Sequence, residues 1–148
     1  MDRRNDRDDS NPRMVVKGQR GISVRPLVYI AGPYGASKGQ STIDGNIVIQ
    51  DEVARQIAVW GGAPIQPNKN TYGWQHYFNF ADKDIFFSCD LSVLAHCDVL
   101  VYVEMATGVA AEIAFADALG IPVFNWAEEQ EKVHYAVEHT ITLGGVHE

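Results

Sequence analysis

The chain has 148 residues, of which 46% are hydrophobic and 21% are charged, as in an ordinary soluble protein with one domain. Its apolar runs are too short to span a bilayer, its start lacks the apolar stretch of a signal peptide, and two cysteines cannot build a disulfide framework, so we expect a cytoplasmic protein. Residues 1–25 carry a net charge of +3 and the rest a net charge of -10, which argues against nucleic-acid binding by the main body.

Residues 1–25 are predicted to form a disordered mixed-charge tail, because almost no apolar side chain precedes Met14. Residues 26–148 are predicted to form one α/β domain. Its strand-like runs are Leu27–Ala31, Ala63–Gln66, Val99–Val103 and Ile121–Phe124. The first and third runs are apolar on both faces, which is typical of parallel strands covered by helices.

Helical patterns lie between and after these runs, at Ile43–Trp60, Asp82–His96, Thr107–Leu119 and Glu128–His139. This alternation predicts an open, mostly parallel sheet with helices on both faces, as in flavodoxin-like and Rossmann-like folds. Ligands of such sheets bind beyond the carboxyl ends of the strands. Two connections are therefore of interest, residues 32–41 after the first strand and residues 104–108 after the third.

The first connection is glycine-rich, within "VYIAGPYGASKG". Its spacing matches neither the Walker A pattern nor the dinucleotide-binding pattern, and Pro33 removes a backbone donor that a phosphate cradle would use. Lys38 and Ser37 remain able to meet a single phosphate. We interpret the loop as a ligand site, though not a nucleoside triphosphate site, with a simple tight turn as the alternative.

The helix "TGVAAEIAFADALG" contains two acids among apolar residues, with Thr107 as its predicted N-cap. At about 100° per residue, Glu112 and Asp117 lie roughly 140° apart around the helix. If Asp117 faces solvent, Glu112 faces the sheet or the crevice, where an ionised carboxylate suits a nucleophile. The alternative is that Glu112 is an ordinary surface acid.

Three further acids lie on or beside the third strand. Asp98 is predicted to cap the start of the strand, a structural role. Asp90, eight residues earlier on the preceding helix, is ambiguous, since an exposed helix acid is the usual case. Glu104 follows the strand on its ligand side and is a weaker candidate.

The histidines lack metal-binding spacing, so neither a metal nor another cofactor is predicted. Several aromatic residues follow the second strand and could stack on a base, pack internally or form a subunit interface. They are Tyr72, Trp74, Tyr77, Phe78 and Phe80.

The segments "VYIAGPY", "CDLSVLAHCDVLVYV" and "TGVAAEIAFADALGIPVF", which span residues 27–125, resemble the nucleoside 2-deoxyribosyltransferase family, which includes related N-glycoside hydrolases. The resemblance implies that Glu112 is the nucleophile, that Asp90 handles the base and its proton, and that Tyr29 orients the nucleophile. It also implies that the turn at Gly32 closes on the sugar, with Pro33 beside it.

The resemblance further implies a small-molecule nucleoside or nucleotide substrate and a homo-oligomer of at least two copies. Tyr34 and Trp74 are candidates for base contact, and the start of the third helix, with Thr107 and Gly108, for a 5′-phosphate. The loop "EMAT" departs from the transferases, because Ala106 stands where many of them have a base-binding aspartate, for which Glu104 is the candidate replacement.

Three interpretations therefore remain open. The first is transfer of a 2-deoxyribosyl group to a base or to water, and its variant is cleavage of a nucleoside 5′-monophosphate. The second is a non-catalytic nucleotide-binding module on the same fold. The third is an interaction protein that uses the aromatic residues between positions 72 and 80.

Overall fold

The computed structural model describes residues 24–78 and 83–144, with side chains at 24–78 and 84–140. The predicted disordered tail lies outside these residues, except for its last two positions. Four strands lie within the described residues: β1 Leu27–Ala31, β2 Ala63–Ile65, β3 Val99–Tyr102 and β4 Val123–Asn125. They form one parallel sheet in the order β2-β1-β3-β4, which confirms the predicted open sheet.

Helices alternate with the strands as predicted. Over the described ranges they are α1 Gln40–Trp60, α2 Pro67–Asn70, α3 Lys83–Leu94, α4 Thr107–Ala118 and α5 Trp126–Gly144. Short 3₁₀ turns form at Ala36–Lys38 and Trp74–His76. None of the helices described here is long and apolar enough to cross a membrane.

The core has two layers because both faces of the sheet are covered. On one face, Val28 and Ile30 of β1 pack with side chains of α1 and α5. On the other face, Tyr29 and Ala31 pack with side chains of α3 and α4. Successive strand residues point to opposite faces, so β1 must be apolar throughout. The one polar side-chain atom of β1 is the Tyr29 hydroxyl.

The fourth strand begins two residues later than predicted. The Ile121 N–H donates to the Ala116 carbonyl oxygen at 2.9 Å and closes the end of α4. Gly120 lies between them with φ 75°, a conformation that favours glycine. The closing turn of the helix thus uses residues that the hydrophobic pattern assigned to the strand.

The predicted N-cap role of Thr107 is wrong. Ala106 occupies the capping position with an extended backbone, and Thr107 is the first helical residue. Alanine has no side-chain acceptor, so no side chain caps this helix. The exposed Thr107 lies at the carboxyl end of β3.

The predicted structural role of Asp98 is confirmed. Its carboxylate accepts the Leu27 N–H at 2.8 Å, and its own N–H donates to the Leu27 carbonyl oxygen at 2.9 Å. This reciprocal pair ties the start of β3 to the start of β1. It leaves the opposite, carboxyl ends of the two strands for the ligand side of the sheet.

Candidate active site

Glu112 lies on the face of α4 that is turned toward the sheet, and only 7% of it is exposed. Asp117, the other acid of the helix, is exposed. The predicted difference in orientation between the two acids is therefore confirmed. Val109 and Ala116 of the same helix are buried beside Glu112, so its carboxylate lies against apolar side chains. A buried carboxylate of this kind requires a hydrogen-bonding partner.

Tyr29 is that partner. Its hydroxyl donates to the Glu112 Oε2 atom across 83 positions of sequence. Tyr29 is fully buried, and its backbone pairs with Ile65 of β2 and Leu100 of β3. The central strand therefore holds the hydroxyl in place, and the hydroxyl holds the carboxylate.

The environment makes Glu112 difficult to ionise. Burial raises the pKa of Glu112 to about 7; the Tyr29 hydrogen bond acts in the opposite direction, and the negative charge of Asp90 raises the pKa further. Burial and the charge of Glu112 also raise the pKa of the Tyr29 hydroxyl, which stays protonated and available as a donor. Near pH 7, Glu112 therefore exchanges readily between its neutral and ionised forms.

Asp90 lies on α3, which packs against α4. It is half-buried rather than exposed, and burial raises its pKa to about 6. Its charge acts on both Tyr29 and Glu112. Tyr29, Asp90 and Glu112 therefore form one electrostatically coupled cluster, built from a strand and two helices.

The turn after β1 lies at the carboxyl end of that strand. It contains Gly32, Pro33 and Tyr34, all half-buried. The Tyr34 hydroxyl donates to Gln75 Oε1 at 2.8 Å and accepts the Gly73 N–H at 3.0 Å, which ties the turn to the loop after α2. The hydroxyl is therefore engaged with protein, and the ring is the part left for contact with a ligand.

Lys38 lies further along, exposed on the first 3₁₀ turn. Within residues 24–78 and 84–140, no carboxylate forms an ion pair with it. Its contact with a phosphate stays a prediction. Nothing in the geometry links Lys38 directly to the cluster around Glu112.

The connection after β3 brings Glu104, Thr107 and Gly108 to the same edge of the sheet, because β3 lies beside β1. All three residues are exposed. A Cβ atom built on Gly108 would meet nothing within 4 Å, so open space adjoins the start of α4. β1 and β3 are also the two strands between which the strand order changes direction across the sheet, and the carboxyl ends of such a pair are the usual position of a ligand crevice.

The aromatic residues after β2 divide into two groups. Trp74 and Phe78 pack with Phe86 of α3, with ring centroids 5.6 to 6.0 Å apart, so internal packing accounts for them. Tyr72 and Tyr77 are 47% and 85% exposed. Phe80 lies outside the described residues. The predicted base contact by Trp74 stays a prediction, as does the subunit interface.

Sequence reasoning missed Gln50 and Asn68. Gln50 is 1% exposed on the inner face of α1, where the other positions are apolar. Its Nε2 atom donates to the Pro33 carbonyl oxygen at 3.0 Å, and Asn68 Nδ2 donates to the Gly32 carbonyl oxygen at 2.9 Å. The position of Gln50 on the apolar face of α1 was the feature of the sequence that could have predicted its burial.

A groove of about 490 Å³ lies elsewhere, at the amino ends of β3 and β4 and along α5. Its lining is mostly apolar, and its acid, Glu131, is exposed. The groove therefore lacks a buried acid comparable to Glu112. No three His, Cys, Asp or Glu side chains in the described part of the chain lie close enough to hold a metal ion.

No protein-family model and no curated protein matches the sequence. Among solved structures, the chain is similar to a 2-deoxyribosyltransferase from the psychrotolerant bacterium Bacillus psychrosaccharolyticus, a biocatalyst for the synthesis of antiviral and antitumoral nucleosides. The sequences are 20% identical, the match covers 67% of this chain and 70% of the other, and the TM-score is 0.50. This likeness shows that the chain has the fold of a 2-deoxyribosyltransferase, in agreement with the fold predicted from its sequence.

Proposed function

We propose that the protein cleaves the N-glycosidic bond of a 2-deoxynucleoside, with Glu112 as the nucleophile. The observation that carries this proposal is the buried hydrogen bond from Tyr29 to Glu112 beside the half-buried Asp90. Buried acids with raised pKa values are costly to keep for structure alone and cluster at functional sites. Tyr29 lies on the central strand β1, and α4, which carries Glu112, follows the carboxyl end of β3, the edge at which such a sheet binds its ligand.

In the first step, a Glu112 carboxylate oxygen forms a bond to C1′ as the bond from C1′ to the base nitrogen breaks. The electron pair of that bond stays with the base, which takes a proton from Asp90. The transition state resembles an oxocarbenium ion, as in retaining glycosidases. The Tyr29 hydroxyl keeps the Glu112 carboxylate oriented toward C1′ while the negative charge of the carboxylate is neutralised by the new bond.

In the second step, a base nitrogen or a water oxygen attacks C1′ and displaces the Glu112 carboxylate. Asp90 takes the proton that the attacking group releases, which restores the starting state. A base as acceptor gives transfer, and water gives hydrolysis. Both products pass through the same covalent 2-deoxyribosyl-enzyme.

The residues around the crevice would bind the substrate. Gly32, Pro33 and the Tyr34 ring would cover the sugar and base from β1, and Glu104, Thr107 and Gly108 would border them from β3. Lys38 is the candidate for a 5′-phosphate if the substrate is a nucleoside monophosphate. Assembly into a dimer or larger oligomer stays a prediction.

The proposal is tested by incubating the purified protein with each common 2′-deoxynucleoside and its monophosphate. Intact mass spectrometry is expected to show a 2-deoxyribosyl adduct, which is absent from the Glu112→Ala variant. Asp117→Asn is the matched control, because it removes the exposed acid of the same helix and is expected to form the adduct normally.

Release of free base, measured with and without an added acceptor base, separates transfer from hydrolysis. The enzyme interpretation fails if the wild type yields neither adduct nor free base with any of these compounds. Saturable nucleotide binding that survives Glu112→Gln, without turnover, would instead identify a non-catalytic binding module.

A further inference from the structure

Three amide side chains hold the turn that follows β1. We call Asn46, Gln50 and Asn68 the amide clamp; the first two project from α1 and the third from α2. The amide nitrogens donate to carbonyl oxygens of the turn: Asn68 to Gly32 at 2.9 Å and more weakly to Pro33 at 3.3 Å, Gln50 to Pro33 at 3.0 Å, and Asn46 to Tyr34 at 3.1 Å. Three successive carbonyl groups are therefore bound from the side of α1 and α2.

The clamp determines which side of the turn faces away from α1. The peptide bonds here are trans, so the Pro33 C=O group and the Tyr34 N–H group point in opposite directions. With the Pro33 carbonyl drawn toward Gln50, the Tyr34 N–H is directed away from α1. Side chains from α1 and α2 thus contribute to the orientation of the turn.

Gln50 is tightly packed and hydrogen-bonded in this position. It is 1% exposed, and its Oε1 atom accepts a further N–H from Asn68 at 3.1 Å. A Cβ atom on Gly32 would lie 2.6 Å from its Nε2 atom, so the glycine makes room for the amide. Its neighbours on the inner face of α1, Ile43 and Val53, are apolar. A leucine at this position would be enough for packing, whereas the amide group of Gln50 is needed for the hydrogen bond to the turn.

We propose that Asn46, Gln50 and Asn68 are positioning residues that hold the turn in the conformation that receives the substrate. This inference rests on the proposed function. The turn and the Tyr29 hydroxyl belong to one chain segment, since Gly32 follows Tyr29 by three residues along β1. Movement of the turn would therefore weaken its contacts with a bound sugar and base, which lowers the affinity for the substrate and for the transition state alike and raises KM.

The first test compares Gln50→Leu with the wild type and with Gln56→Leu, a matched glutamine variant elsewhere on α1. In Gln50→Leu we expect kcat/KM to fall about 10-fold to 100-fold, mainly through KM, with the pH dependence of kcat unchanged. Hydrogen exchange at the amides of residues 34–39 is expected to become faster, while exchange in β3 stays the same. Gln56→Leu is expected to behave as the wild type in both measurements.

A second variant guards against misfolding of the first. Asn46 is only half-buried, so Asn46→Ala is expected to keep the fold, judged by its thermal unfolding, and to show a smaller rise in KM. If both variants fold and match the wild type in KM and in exchange, the clamp has no positioning role, although the proposed function stands. An inactive wild type would refute the proposed function and the positioning role together.

Discussion

Replacing Glu112 with glutamine is expected to stabilise the fold at neutral pH while it abolishes the chemistry. In the folded state the pKa of Glu112 is about 7, against an ordinary value of 4.5. An acid whose folded pKa is raised holds its proton more tightly in the folded state, so the folded protein loses stability as pH rises through this window. Glutamine keeps the shape and the acceptor for Tyr29 but cannot ionise.

The size of the effect follows from the two pKa values. Each pKa unit corresponds to about 1.4 kcal/mol, so ionisation of Glu112 costs the wild type about 3 kcal/mol of unfolding free energy between pH 4 and pH 8. Below pH 4 both states are protonated and the cost disappears. The advantage of Glu112→Gln should therefore grow by about 3 kcal/mol across this range, a large fraction of the stability of a small domain.

Urea denaturation of both proteins at half-unit pH intervals measures this difference directly, because most other titrating groups cancel between them. Asp117→Asn, which removes an exposed charge from the same helix, is expected to show no comparable rise with pH. A difference between Glu112→Gln and wild type that stays constant from pH 4 to pH 8 would refute the reasoning. It would mean that Glu112 ionises as easily in the folded state as in the unfolded chain.

Two other variants test the coupling between the members of the cluster through the pH profile of kcat/KM. The wild type is expected to be most active between pH 6 and pH 7, since Glu112 must be ionised and Asp90 protonated. Asp90→Asn should lose the alkaline limb, because no acid is left to lose its proton, and its acid limb should then follow the pKa of Glu112 alone, without the charge of Asp90 that raises it; an unchanged alkaline limb would exclude Asp90 as the acid. Tyr29→Phe should move the alkaline limb, which follows the higher of the two pKa values, to higher pH and lower kcat/KM by about 100-fold, because it removes the hydrogen bond that favours ionised Glu112; an alkaline limb at the wild-type pH would show that this bond does not tune Glu112.

The fold was predictable because its signals are local and agree with one another. Runs that are apolar on both faces identified β1 and β3, and the strand–helix alternation implied the parallel sheet. The errors lie at the ends of helices and strands, where a single hydrogen bond can determine at which residue the element begins or ends. The Ile121 N–H closes α4 instead of starting a strand, and Ala106 precedes the helix where Thr107 was expected to cap it.

The acids of the site were partly predictable for a different reason. A helix with only two acids among apolar residues allows Glu112 and Asp117 to be separated by angle alone. Periodicity does not reveal a partner that is 83 residues away, so Tyr29 came only from the resemblance to a known family. The partial burial of Asp90 could not be predicted from the sequence either, because it depends on how α3 packs against α4.

For the amide clamp, the burial of Gln50 can be predicted from the sequence, but its hydrogen-bonding partner cannot. Gln50 interrupts the inner face of α1 at a position framed by Ile43, Val53 and Ile57, so its burial could be inferred from helical spacing. A buried amide must have partners, and this alone predicts a nearby backbone with unpaired groups. That the partner is the turn after β1 requires the fold, because only the crossover through α1 brings the helix back over the strand from which it came. In this chain the buried glutamine of the crossover helix is bound to the turn that leads into that helix.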